Sequence, residues 1–105
     1  MLKIEIYTKT FETPNGPVEG VQTKWSDFNI LLVTGTRGFL ACPAIDIEAC
    51  QRYGKAAALV ESSSGNPIGT LDRFADRKIM AVNDKGRELG IEKGMEVKDA
   101  FALIA

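Results

Sequence analysis

The 105 residues contain no histidine. That absence removes Ser-His-Asp and Cys-His catalysis within one chain, and with them every histidine-liganded metal site. Cysteine is nearly absent as well. Cys42 and Cys50 are the only two, whereas a structural zinc site takes four thiolates, so only a dimer could assemble one and the spacing is not that of metal ligands. Long apolar runs are missing: stretches such as Ala56 to Val60 are about five residues, where a membrane-spanning helix needs ~20. Neither sign of charge is in excess. Thirteen Lys plus Arg against fourteen Asp plus Glu leave a net charge of −1, which argues against a nucleic-acid binder, whose phosphate contacts need a basic surplus. The N-terminus, Met1-Leu2-Lys3-Ile4-Glu5-Ile6, alternates polar and apolar residues instead of forming the apolar core of a signal peptide. Two free thiols in such a chain give the expectation of a cytoplasmic protein with no membrane partner.

What is present is ordinary for a folded chain: 45% hydrophobic and 26% charged residues. A chain of this length buries roughly 65% of its unfolded surface, enough for one core and one domain over residues 1–105. Leu2, Ile4 and Ile6 repeat with period two, as in a half-buried strand. Thr13-Pro14-Asn15-Gly16-Pro17 is dense in turn residues, and its Asn-Gly pair is a hairpin signal. A second strand is expected over Val18 to Trp25, with Val21, Thr23 and Trp25 on one face, followed by a turn at Ser26-Asp27. Phe28 to Thr34 is almost continuously apolar and suits a central strand. Gly35-Thr36-Arg37-Gly38 turns the chain into a fourth strand, Phe39 to Cys42.

At Pro43 the period changes. Proline suits a first helical turn, Ile45, Ala49 and Tyr53 recur at helical spacing, and Gly54 stands where a C′ glycine ends a helix. Ala56 to Val60 then forms a short buried strand. Strand, helix and strand in this order make a crossover, so the two strands are expected to run parallel. Glu61 to Gly69 is a polar loop, Thr70 caps a short helix with Leu71, Phe74 and Ala75, and Ile79 to Val82 reads as a further strand. Asn83 or Asp84 caps a helix stopped by Gly90. The last helix presents Val97, Phe101 and Ile104 on one side. The expected fold is α+β: an antiparallel meander leading into strand–helix crossovers in a mixed sheet, with a C-terminal helix.

Two segments are similar to a known family. Gly38-Phe39-Leu40-Ala41-Cys42 followed by Ala44-Ile45-Asp46-Ile47-Glu48 resembles the Gly-aromatic-x-x-Cys segment of the small YunC-type domains. Leu89-Gly90-Ile91-x-x-Gly94-Met95, then Ala100, resembles their C-terminal signature. The likeness spans roughly residues 18 to 104. It implies a fold and a cysteine but no reaction, because these bacterial and archaeal domains have no known function. Pro43 stands where a glycine usually follows the cysteine, and the loop after Val60 is longer than usual.

Cys42 is the candidate catalytic residue. If Pro43 opens a helix, the sulfur lies near a helix N-terminus, which favours a thiolate. Free cysteines are also among the most buried residues, and burial is the reading that the residue types favour. Cys50 has a weaker claim, and a Cys42–Cys50 disulfide is not expected. Arg37, in the Gly-rich turn, is a candidate ligand contact through an anion-binding nest; a plain hairpin loop is the simpler reading. Ser62, Ser63 and Ser64 offer hydroxyls beyond the carboxyl ends of the expected parallel strands, where α/β folds tend to bind ligands, although the loop lacks the Gly-Lys-Ser/Thr ending of a phosphate loop. Arg73, Arg77 and Lys78 interleave with Asp72 and Asp76 as a solvated, self-neutralising face. No cofactor or metal is implied. Two readings of function follow: a non-enzymatic ligand-binding or interaction module, expected to form a homo-oligomer and to take a small molecule, or a thiol-dependent enzyme or redox-responsive protein using Cys42.

Overall fold

Short-range turn chemistry builds the first half of the molecule. In the computed structural model, which describes residues 2–105, β1 (Ile4–Thr13) and β2 (Gly16–Trp25) pair in register, with Thr13 opposite Gly16. Met1, the first residue of the alternating N-terminus, lies outside the described residues. Pro14-Asn15 forms the loop, and Gly16 has a φ of +115°, a conformation that strains any residue with a Cβ. The Thr13 hydroxyl accepts from the Asn15 N–H and donates to the Gly16 carbonyl. Ser26-Asp27 makes the next turn into β3 (Phe28–Thr34), and β4 (Phe39–Ala41) completes an antiparallel meander.

The crossover expected after β4 is present. Helix α1 (Ile47–Arg52) connects β4 to β5 (Ala57–Val60), which lies parallel to β4, and β6 (Ile79–Val82) returns antiparallel. The six strands form one mixed sheet in sequence order. Helices α2 (Leu71–Phe74), α3 (Asp84–Glu88) and α4 (Val97–Ile104) complete an α+β fold. Thr70 caps α2, Asn83 caps α3, and Gly54 and Gly90 follow α1 and α3 with φ of +72° and +97°, as the sequence predicts.

Two expectations need correction. The helix after Cys42 does not open at Pro43. It starts at Ile47, where the Asp46 carboxylate accepts from the N–H groups of Glu48 and Ala49; a carboxylate cap outcompetes a proline that merely tolerates helical φ. The apolar side of β1 is also not half-buried: Ile4 and Ile6 are 60% and 65% exposed. The alternation is real, but the helices pack on the other face of the sheet.

Register shows which face that is. Gly20, Val33, Leu40, Ala58 and Val82 form one row across the strands, and this side joins Phe74, Ile91, Phe101 and Ile104 in the core. Phe11 stacks against Phe101 with ring centroids 4.8 Å apart. The opposite row runs Val21, Leu32, Ala41, Leu59, Ala81. At its β5 end α1 packs against the sheet; over β1 to β3 it lies open.

Asn83 joins the crossover to the last strand. Its side chain is fully buried. Oδ1 accepts from the N–H groups of Ala57 (3.1 Å) and Gly86 (2.8 Å), while Nδ2 donates to the carbonyls of Ile47 (3.0 Å) and Lys55 (2.9 Å). Asn83→Ala strips a helix cap and orphans further buried groups, so we expect a loss of about 3–5 kcal/mol of stability. Urea unfolding followed by circular dichroism measures this, with the exposed neighbour variant Asp84→Ala expected to fall within about 0.5 kcal/mol of the native chain.

Candidate functional site

The residues singled out by chemistry do not converge. Cys42 is 7% exposed and belongs to the core on the helix-covered face, its N–H donating to the Leu31 carbonyl. Because α1 begins at Ile47, the thiol sits at no helix N-terminus. Cys50, half-buried on α1, is unpaired, and so is Cys42.

Arg37 lies exposed in the β3–β4 turn, beside Lys55 in a shallow cleft of about 520 Å³. The backbone of this turn is already engaged: the Arg37 N–H donates to the Ile104 carbonyl at the end of α4, and the Gly35 N–H donates to the Gly38 carbonyl. Gly35 is glycine because α4 ends against it, leaving only 2.1 Å between a Cβ there and the Ile104 oxygen. The glycines thus seat a helix end. The serine loop is similarly occupied, with Ser62 Oγ accepting from the Ile68 N–H and Ser63 Oγ from the Asn66 N–H. Ser64 is exposed in the turn between them.

Arg77 orders that loop, and here the sequence reading is corrected. It is not part of a solvated face: it is buried, and its guanidinium donates to the carbonyls of Asn66 (2.7 Å), Pro67 (2.8 Å) and Glu61 (3.4 Å) and to Asn66 Oδ1 (3.1 Å). A planar group with five donors suits a loop that turns its carbonyls inward. The neighbouring carboxylates pair elsewhere, Asp72 with Lys9 and Asp76 with Lys98.

A larger cleft opens between α1, the β5–β6 edge and the segment after α3, with a volume of about 660 Å³. Ile45, Ile47, Leu59 and Ala81 supply apolar walls, and Asp46, Glu48, Arg87, Glu92 and Lys93 supply a charged rim. Arg87 is ion-paired with Asp84 on its own helix. The cleft lies along β6, beside the crossover from β4 through α1 to β5, and none of Cys42, Arg37 or Ser62 to Ser64 lines it. Its lining was obscure in the sequence because it gathers four separate segments, each short and unremarkable alone. Among the described residues, no three Cys, Asp or Glu side chains converge as metal ligands. The clear titration shifts lie far from the cleft, on exposed β1: the Tyr7 hydroxyl, then Lys3, holds the Glu5 carboxyl below its ordinary range, and Glu5 raises the Tyr7 phenol.

Comparison with known proteins agrees with the fold. The crystal structure of a protein of unknown function, TA1206 from Thermoplasma acidophilum, superposes with a TM-score of 0.82 over 97% of this chain and 95% of that one, at 16% identity, and so shares the fold. The uncharacterized protein YunC of Bacillus subtilis (strain 168) is 26% identical over 87 residues, 81% of this chain and 83% of its own. Residues 41–104, from the end of β4 to the end of α4, match the model of a domain of unknown function, DUF1805. The chain belongs to the DUF1805 family.

Proposed function

We propose that the protein is a cytoplasmic, non-enzymatic ligand-binding module that works as a homo-oligomer. The cleft between α1 and the β5–β6 edge supports this reading. Its volume of about 660 Å³ falls in the range of small-molecule sites, roughly 300–1,000 Å³. Apolar walls with charges of both signs at the mouth suit a small molecule with an apolar body and a polar head. The rival reading, thiol chemistry at Cys42, gains nothing from a sulfur packed in the core; a reactive thiol needs solvent and a positive neighbourhood. Among the described residues, no helix is long and apolar enough to cross a membrane.

Two measurements test this reading. In a titration with decanoate followed by backbone amide NMR, shifts are expected at Ile45 to Glu48, Leu59 and Ala81, and Ala81→Trp, which fills the cleft, should weaken them at least tenfold. Shifts scattered over the surface, or unchanged in Ala81→Trp, would refute the cleft as the site. In native alkylation resolved by peptide mass mapping, Cys42 is expected to react at least a hundredfold more slowly than Cys50 until denaturant is added. Equal rates would restore the thiol reading.

A further inference from the structure

At the end of the sheet formed by the start of β1, the end of β2 and the start of β3, polarity runs opposite to what a two-layer fold requires. On the side that carries the helices, register aligns Glu5, Lys24 and Asn29. On the other side, which no helix covers here, it aligns Ile4, Trp25 and Phe28, and beside them Ile6, Thr23 and Ile30. Sheets that face water on one side keep their apolar residues on the covered side. Here Ile4, Ile6 and Phe28 are 60%, 65% and 48% exposed. The nearly continuous apolar run of β3 belongs to a strand covered on both faces, yet this chain covers only one.

We propose that this open face is the interface of a homodimer, in which a second copy lays its own β1–β3 face against it as two aligned sheets. The proposal rests on the oligomeric reading above and specifies its surface. Charge favours a second copy: on this face the rows Ile4–Trp25–Phe28, Ile6–Thr23–Ile30 and Thr8–Val21–Leu32 carry no charged side chain, and Glu12 and Glu19 lie together at the far end, Glu19 held by the Thr10 hydroxyl. An uncharged patch meets itself without repulsion, as the self-complementary surface of a two-fold dimer must, and depletion of charge marks the centre of an interface. Area agrees. One side of the molecule spans 43 × 27 Å, and β1–β3 are half of its six strands. The open face therefore projects on the order of 600 Å² per copy, the lower range for stable dimers. The sheet's two edges differ too: the outer side of β6 is paired by the segment around Gly94 to Val97, through Ile79 N–H to the Met95 carbonyl and Gly94 N–H to the Ile79 carbonyl. Two-fold stacking uses this face of each copy once, which closes the dimer, and it leaves β1's edge unpaired.

Sedimentation velocity of the full chain tests the proposal, with Trp25, the single tryptophan, as a reporter inside the interface. The native chain is expected at twice 11.4 kDa, with Trp25 emission shifting red on dilution. Ile6→Glu and Phe28→Glu should each weaken association at least a hundredfold while circular dichroism stays native, since both side chains are largely exposed in one copy. Tyr53→Glu, an exposed change on the α1 side, should leave it unaltered. A native chain that sediments as one copy at hundreds of micromolar, with dilution-independent Trp25 emission, overturns both this interface and the oligomeric reading. A native dimer that survives Ile6→Glu and Phe28→Glu, its Trp25 emission unmoved by dilution, overturns this interface alone and leaves the oligomeric reading standing.

Discussion

One buried amide holds the second half of the fold in place. Asn83 sits where β6 ends and α3 begins, and its backbone N–H donates to the Ala57 carbonyl while its Oδ1 accepts the Ala57 N–H. The remaining side-chain hydrogens reach the carbonyls of Ile47, the first residue of α1, and of Lys55, just past its end. A single side chain therefore sets α3's start, β5's start and the path of α1 between them. With no exposed surface, it has no water to replace a lost partner, which is why the arrangement tolerates no looser version. Gly86 follows from the same constraint: a Cβ there would stand 2.6 Å from Val82 Cγ2 and 3.0 Å from the Ala57 carbonyl oxygen.

The cleft is a by-product of that anchoring. Because α1 starts late, at Ile47, the connection after β4 first turns at Pro43-Ala44 and lays Ile45 and Asp46 along the cleft wall. The Asn83 bonds then keep α1 over β5 and away from β1 to β3. Two consequences follow from one placement: a concave apolar site beside the parallel strands, and an uncovered sheet face beyond it. Arg77 does for the serine loop what Asn83 does for the crossover, converting a run of polar residues into a fixed turn through inward-facing carbonyls.

Much of the fold was legible along the chain. Asn15-Gly16, Ser26-Asp27, Thr70, Asn83, Gly54 and Gly90 mark turns and caps whose physics acts within a few residues, and each marks the boundary seen in the structure. The parallel pairing of β4 with β5 followed from the need for a crossover between them. The candidate site was much less legible. Cysteine, arginine and serine attract notice by their chemistry, but Cys42 packs in the core, Arg37 seats a helix end and the serine hydroxyls close turns.

The sequence by itself determined where most elements begin and end, the α+β class, the family likeness and the chemistry that a histidine-free chain forgoes. These depend on composition and on interactions between near neighbours. Only the tertiary structure decided which face of β1 to β3 the helices cover, that Arg77 is buried, and that residues of four segments meet in one cleft. Period two says that a strand has an apolar side but not whether the chain's own helices land on it. That choice is made by contacts between residues far apart in sequence, and here it leaves Ile4, Ile6 and Phe28 facing outward.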